Sequence, residues 1–349
     1  MSDLVLNTRL NLADVPAATG EPLPFHRGLP GYRPTPARAL PWVAAELGVA
    51  EVLLKDESGR LGLTSFKVLG AWWAVEQARL MPGTKTLMAA SAGNHGLAVA
   101  HAAAASGLDC QIFLPAGAAP GRAGRIAATG ARLVRVAGDY DAAVAAAAAA
   151  ASAGGAVLVA DTSDDPSALS PRWVVDGYST LFAELDEQLP GPADMVLVPA
   201  GVGSLTAAAI IWAAHQPRPP NVLAVEPATA ACVAAALAAG RPVRIPTPGT
   251  TMAGLDCGTA SAVAWPVLRA GLTGAVLVAD EPVHQAMRDL AGWGLAIGDC
   301  GAAPLAALRA LRGLRGHLGL GPASRVLLLA TEGITDPGSY HAVVQFGQS

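Results

Sequence analysis

Residues 55–70 read Lys-Asp-Glu-Ser-Gly-Arg-Leu-Gly-Leu-Thr-Ser-Phe-Lys-Val-Leu-Gly, and residues 91–96 read Ser-Ala-Gly-Asn-His-Gly. The chain has three lysines, and Lys67 lies among apolar neighbours in the first of these stretches. Burial disfavours the charged form of an amine, which lowers its pKa and frees it to attack a carbonyl. The sequence therefore predicts that Lys67 is a Schiff-base lysine with a low pKa. The alternative is that the apolar stem of Lys67 is buried while its ammonium group extends to solvent.

Short apolar runs recur on either side of these stretches. Each run is closed by glycine or proline and followed by a helix-forming segment, which is typical of strands buried on both faces of a parallel sheet. An α/β fold is therefore predicted. The predicted strands are residues 52–54, 86–88, 110–114, 132–136, 156–159, 195–198, 221–225 and 326–329.

Three loops follow such strands, at residues 91–96, 200–205 and 331–337. In open α/β sheets, ligands bind at the carboxyl ends of strands, where loops meet helix N-termini. The turn Gly201-Val202-Gly203-Ser204 predicts a site for a phosphate monoester. Two alternatives remain: a purely structural turn, and a dinucleotide site in which Glu226 contacts the ribose.

Composition excludes several classes of protein. The 349 residues carry a net charge of −4 and only 14% charged residues, which argues against nucleic acid as a partner. Four scattered cysteines favour reduced thiols over a disulfide framework, and the N-terminal residues do not resemble a signal peptide, so we expect a cytoplasmic protein. Residues 142–160 are uncharged, but their alanine content and glycine pair favour a helix, a turn and a strand over a membrane span.

The motifs together resemble a known family. Their order is similar to that in the fold type II, or tryptophan-synthase-like, pyridoxal 5'-phosphate enzymes, and the likeness covers essentially the whole chain. Within that family the chain most resembles the diaminopropionate ammonia-lyases, and Leu69 stands where threonine and serine dehydratases usually carry an arginine. The stretches that carry this resemblance are residues 25–27, 31–36, 55–58, 66–70, 161–162, 171–173, 177–180, 251–255 and 331–337.

The resemblance implies an architecture. We expect two α/β domains, each a mostly parallel twisted sheet flanked by helices, with the cofactor in the cleft between them. Residues 1–85 and 164–349 would form the large domain, and residues 86–163 the small inserted one. A homodimer is expected because relatives of this kind are commonly dimeric.

The resemblance also implies roles for individual residues. Lys67 would bind the cofactor aldehyde and, once displaced by substrate, would act catalytically as a free amine that shuttles protons. Asn94 would hold the cofactor's 3'-oxygen, and Thr331 would face its pyridine nitrogen. The full set implied to bind the cofactor is Phe66, Lys67, Asn94, Gly201, Val202, Gly203, Ser204, Leu205 and Thr331. The set implied to lie at the substrate is Ser91, Ala92, Asn94 and His95.

Two positions bear on the chemistry. Asp161 matches an aspartate that similar ammonia-lyases use on the L-isomer, as a group that takes the Cα proton or protonates the departing amine. The alternative for Asp161 is a structural cap of a turn. Ala92 stands where those enzymes have a second aspartate, which serves the D-isomer. Alanine exchanges no proton, so we expect action on L-substrates, little on D-isomers, and no racemisation.

Two further features concern the edge of the implied site. Asp299-Cys300-Gly301-Ala302 stands where similar ammonia-lyases have Glu-Ser-Gly-Ala, and we expect Cys300 to be a buried thiol. Tyr140 matches a region on the ligand side of the relatives, although a packing role fits it equally well.

The resemblance implies a lyase. The expected reaction is β-elimination from a small L-amino acid such as L-2,3-diaminopropionate, through an aminoacrylate intermediate, to a 2-oxo acid and ammonia. One alternative is a β-replacement synthase or a serine/threonine dehydratase, and another is a non-catalytic relative that binds pyridoxal phosphate. No residue is assigned as a metal ligand, a metal-ion requirement stays open, and no nucleic-acid or membrane partner is expected.

Overall fold

The computed structural model describes residues 3–345. Its strands are β1 (Asp3–Leu6), β2 (Ala37–Ala39), β3 (Glu51–Asp56), β4 (Thr86–Ala90), β5 (Asp109–Pro115), β6 (Arg132–Val136), β7 (Ala156–Leu158), β8 (Met195–Pro199), β9 (Asn221–Pro227), β10 (Gly274–Val278) and β11 (Arg325–Ala330).

Helices connect most of these strands. They are α1 (Pro22–Arg27), α2 (Pro41–Leu47), α3 (Lys67–Arg79), α4 (Asn94–Ala105), α5 (Pro120–Ala127), α6 (Tyr140–Ser152), α7 (Leu169–Gln188), α8 (Ser204–Ala214), α9 (Cys232–Ala239), α10 (Trp265–Gly271), α11 (Asp280–Gly292), α12 (Asp299–Ala310) and α13 (Pro337–Gln345). Short 3-10 turns cover Leu12–Asp14, Leu311–Leu314 and Gly316–Leu318.

The strands form two sheets. The larger has seven strands in the order β1-β10-β9-β8-β11-β3-β2, and the smaller has four in the order β6-β5-β4-β7. All neighbours are parallel except β1 and β2, which pair antiparallel at the two edges of the larger sheet. The predicted α/β class with mostly parallel sheets is confirmed.

All eight predicted strands form, and three others were not predicted. β1 and β2 are edge strands of four and three residues, too short to show a clear apolar pattern. β10 has the sequence Gly-Ala-Val-Leu-Val and is mostly buried, so the signal used for the other strands was present there.

The uncharged stretch at residues 142–160 folds as the sequence predicted. Most of it lies in α6, which is followed by a glycine turn and by β7. No helix within residues 3–345 combines the length and the apolar character needed to cross a bilayer.

A glycine contact between α3 and α7 fixes the helix that begins at Lys67. A Cβ atom on Gly70 would lie 2.6 Å from the Tyr178 ring, and one on Gly177 would lie 2.7 Å from the Gly70 Cα. Both distances are shorter than real carbon contacts, so only glycine lets the two helices approach this closely. The N-terminus of α3, which carries Lys67, is therefore held rigidly against α7.

A buried ion network ties the same region to the larger sheet. Glu184 on α7 binds Lys55 Nζ at 2.6 Å and Arg60 Nη1 at 2.5 Å, and Glu57 binds Arg60 Nη2 at 2.6 Å. All four side chains are fully buried, and the pairing with Arg60 and Lys55 outweighs burial to lower the pKa of Glu184. Two cations and two anions balance, so removing one member leaves a buried charge uncompensated.

We expect Glu184→Gln to destabilise the protein by about 3–5 kcal/mol, because Lys55 and Arg60 would then share one buried counter-charge. The free energy of unfolding in urea measures this. Glu187→Gln, which removes a partner of Arg27 from an exposed ion pair, should cost less than about 1 kcal/mol. Equal losses in the two variants would contradict the assignment of the network as a buried charge balance.

Candidate active site

A cavity of about 870 Å³ lies between the carboxyl ends of the two sheets. The three predicted loops, at residues 91–96, 200–205 and 331–337, each contribute to its wall. The start of α3, the loop that follows β7, and residues 244–247 and 253–259 also line it. The parallel topology thus gathers at one place motifs that are far apart in the sequence.

An ion pair joins the two sides of this cavity. Lys67 Nζ, at the first residue of α3, lies 2.6 Å from Oδ2 of Asp161, in the loop after β7. Their side chains are 21% and 15% exposed. The side chain of Asp161 therefore faces the lysine.

The predicted low pKa of Lys67 is wrong for the protein without cofactor. Burial by itself lowers the pKa of this amine, but the adjacent Asp161 carboxylate outweighs burial and raises it. In turn Lys67, with a smaller effect from His95, holds the pKa of Asp161 below its usual range although burial acts in the opposite sense. The sequence shows the apolar neighbours of Lys67 but not the carboxylate 94 positions further along the chain.

His95 lies on the other side of Asp161. It is the second residue of α4, it is only 4% exposed, and its Nε2 lies 3.0 Å from the carbonyl oxygen of Val159. Its Nδ1 lies 3.9 Å from Asp161 Oδ2.

The amide of Asn94 has a partner that sequence reasoning missed. Its Nδ2 donates to Oε2 of Glu332 at 2.7 Å. A carboxylate oxygen of Glu332, a carboxylate oxygen of Asp299 and Sγ of Cys300 lie within 4.8 Å of one another. Burial, followed by the nearby Asp299 carboxylate, raises the pKa of Glu332 to about 7. Glu332 directly follows Thr331 in the sequence, and this adjacency to a predicted site residue could have pointed to Glu332. Cys300 is buried, as predicted.

The glycine-rich turn forms an open cradle at the start of α8. Gly203 has φ of 93° and precedes the first residue of the helix, whose leading N–H groups have no intrahelical acceptor. A Cβ atom on Gly201 would lie 2.9 Å from Cys257 Sγ and 3.0 Å from the carbonyl oxygen of Gly254. Only glycine therefore fits at position 201, and the N–H groups at the start of α8 are available to an anion.

The dinucleotide alternative does not agree with the position of Glu226. This carboxylate is fully buried and accepts hydrogen bonds from the backbone N–H groups of Val233 and Ala234, at 2.7 and 2.8 Å. It caps α9 and does not line the cavity.

The other predicted residues take different positions. Phe66 lines the cavity with its ring 4.8 Å from that of Tyr178, and Ser91, Thr331 and the exposed Tyr140 also line it. Ala92 does not line the cavity, and it packs against the hydrophobic core. The predicted set is therefore brought together with the exception of Ala92.

The sequence matches a family model described as pyridoxal-phosphate dependent enzyme, over residues 29–332. The chain belongs to this family. Its cofactor is accordingly pyridoxal 5'-phosphate, as the motifs predicted.

Individual relatives of this enzyme agree with the family assignment. A diaminopropionate ammonia-lyase from Salmonella typhimurium is 32% identical, covering 94% of the chain and 92% of the relative. The crystal structure of the Escherichia coli diaminopropionate ammonia-lyase, in complex with an aminoacrylate-PLP azomethine intermediate, matches with a TM-score of 0.88 and 30% identity, over 100% of this chain and 98% of that one. Maize serine racemase matches with a TM-score of 0.79 and 22% identity, over 97% and 98% of the two chains, which shows a shared fold.

The contact between Lys67 and Asp161 can be tested in the enzyme without cofactor. In Asp161→Asn the lysine stays buried but loses its counter-charge, so the pKa of Lys67 should fall. With only three lysines in the chain, NMR of carbon-labelled lysine side chains can follow the titration, and the exposed Lys85 serves as an internal control. A pKa of Lys67 unchanged by the substitution would contradict the ion pair.

Proposed function

We propose that this enzyme catalyses β-elimination from a small L-amino acid such as L-2,3-diaminopropionate, giving a 2-oxo acid and ammonia. The observation that carries the proposal is the contact of Lys67 with Asp161 inside the cavity, because it combines an amine with an acid–base group. The diaminopropionate ammonia-lyases similar to this chain over nearly its whole length support the same activity.

The residues present fit pyridoxal phosphate. Lys67 offers an amine to its aldehyde, and the glycine cradle at residues 201–205 offers free backbone N–H groups and a helix N-terminus to its phosphate. Asn94 lies within the same cavity to receive the 3'-oxygen, and Thr331 offers a neutral hydroxyl to the ring nitrogen. When bound, the cofactor withdraws electrons from Cα of the substrate and so acidifies its proton.

Protein groups then handle the protons. We assign to Asp161 the removal of the Cα proton of an L-substrate or the protonation of the departing amine, and its contact with Lys67 supports this role. The loop at residues 91–96 opens α4, so the substrate carboxylate would lie near Ser91 and the start of that helix. Both ring nitrogens of His95 face other groups, Val159 and Asp161, and we assign this residue to Asp161 rather than to the carboxylate.

Product analysis tests the activity. With L-2,3-diaminopropionate we expect pyruvate and two molecules of ammonia, and we expect Lys67→Ala to abolish both this release and the absorbance of the bound cofactor. Lys85→Ala, at an exposed lysine, should retain both.

Other outcomes would identify the alternatives. Consumption of substrate only when a nucleophile is added would indicate β-replacement, and a strong preference for L-serine or L-threonine would indicate a dehydratase. Bound cofactor without turnover of any β-substituted amino acid would indicate a non-catalytic relative. Each of these results would contradict the proposed elimination from diaminopropionate.

The enzyme should distinguish the two substrate isomers. Ala92 offers no proton-exchanging group and does not line the cavity, so no second base faces the D-isomer from this position. Because a positioned acid–base group contributes about 10²–10⁴-fold, we expect turnover of the D-isomer at least about 100-fold slower than that of the L-isomer. Assays of pure isomers measure this ratio, and comparable rates would contradict the role of Ala92.

We also infer a division into a large domain of residues 1–85 and 164–349 and a small domain of residues 86–163. The four-stranded sheet, all of whose strands lie within residues 86–158, supports this division. We expect a cytoplasmic homodimer, and light scattering of the purified enzyme tests the oligomeric state.

A further inference from the structure

The imidazole of His95 has a defined tautomer. Its Nε2 lies 3.0 Å from the backbone carbonyl oxygen of Val159. A carbonyl oxygen only accepts hydrogen bonds, so Nε2 must carry a hydrogen. Nδ1 is therefore the nitrogen that can gain and lose a proton.

That nitrogen is buried without a hydrogen-bond partner among residues 3–345. Buried polar atoms are nearly always paired, and an exception requires an explanation. Nδ1 faces Asp161, at 3.9 Å from Oδ2, which is the oxygen that Lys67 binds at 2.6 Å. The lysine and the histidine thus converge on one carboxylate oxygen.

The arrangement would change when the cofactor is attached to Lys67, a step that rests on the proposed function. Lys67 attached to the cofactor, or released from it by substrate as a neutral amine, would no longer give Asp161 an ammonium partner, and the nearby lone pair of a neutral Nδ1 would repel the carboxylate. A proton taken from the substrate and held between Nδ1 and Oδ2 would remove this repulsion. A movement of about 1 Å brings the two atoms within hydrogen-bonding distance, and catalytic hydrogen bonds commonly tighten when substrate binds.

We propose that His95 stores at Nδ1 the proton that Asp161 removes from Cα and returns it through Asp161 to the leaving β-amine. The electron pair of the Cα–H bond becomes the second Cα–Cβ bond, and the pair of the Cβ–N bond leaves with the amine, which takes the stored proton. Asp161 and His95 end in the protonation states in which they began. His95 acts through Asp161 and is a positioning residue that does not touch the substrate.

His95→Gln isolates this role. Glutamine places an N–H group near the position of Nε2, so it can keep the bond to Val159, but it has no group that binds a proton. The variant is compared with the wild type on L-2,3-diaminopropionate, whose amine must be protonated to leave, and on β-chloro-L-alanine, whose chloride leaves without a proton. We expect kcat to fall roughly 10–100-fold with L-2,3-diaminopropionate and to change little with β-chloro-L-alanine.

His26→Gln is the matched control. His26 is also fully buried, but its ring nitrogens contact Thr180 Oγ1 and the carbonyl oxygen of Leu69, away from Asp161. Its substitution should affect both substrates equally. If His95→Gln also slows both substrates equally, or slows neither, the proposal is overturned.

A second measurement requires no turnover. Nitrogen-15 NMR of the imidazoles in the wild-type protein without cofactor should show the Nε2–H tautomer for His95, identified among the seven histidines by its loss in His95→Gln. Asp161→Asn should shift the Nδ1 signal. An Nδ1–H tautomer, or an Nδ1 signal insensitive to Asp161, would overturn the proposal. Failure of the wild type to release pyruvate would instead overturn the proposed function, and the response of the Nδ1 signal to Asp161→Asn would still decide whether His95 and Asp161 interact.

Discussion

The contact between Lys67 and Asp161 is the interaction on which the site depends. It crosses the cavity from the first residue of α3 to the loop after β7, and so joins elements next to the two sheets. Both side chains are mostly buried, and each stabilises the ionised form of the other, which burial alone would disfavour. Under the proposed function, attachment of the cofactor to Lys67 would free this carboxylate for proton transfer.

Two structural devices hold this contact in place. The glycine contact lets α3 pack closely against α7, because a Cβ atom at Gly70 or Gly177 would collide with the other helix. The network centred on Glu184 connects α7 to β3 and to the loop that precedes Lys67, with its charges balanced out of reach of water.

Much of the fold and of the site could be predicted from the sequence. The strands of buried parallel sheets appear as apolar runs, and the loops that follow them carry Asn94, Gly203 and Thr331 to one cavity. What failed depends on contacts between distant segments. The raised pKa of Lys67 needs Asp161 as its neighbour, the partner of Asn94 is Glu332, and Ala92 turns toward the core. Periodicity gives the face on which a residue lies, but not the residue that meets it from another element.

We propose that the cofactor is attached to Lys67. Reduction of the purified holoenzyme with borohydride, followed by proteolysis and mass spectrometry, locates the phosphopyridoxyl group on one of the three lysines. We expect modification of the peptide that contains Lys67 and of no other. Modification at Lys55 or Lys85, with Lys67 unmodified, would contradict it.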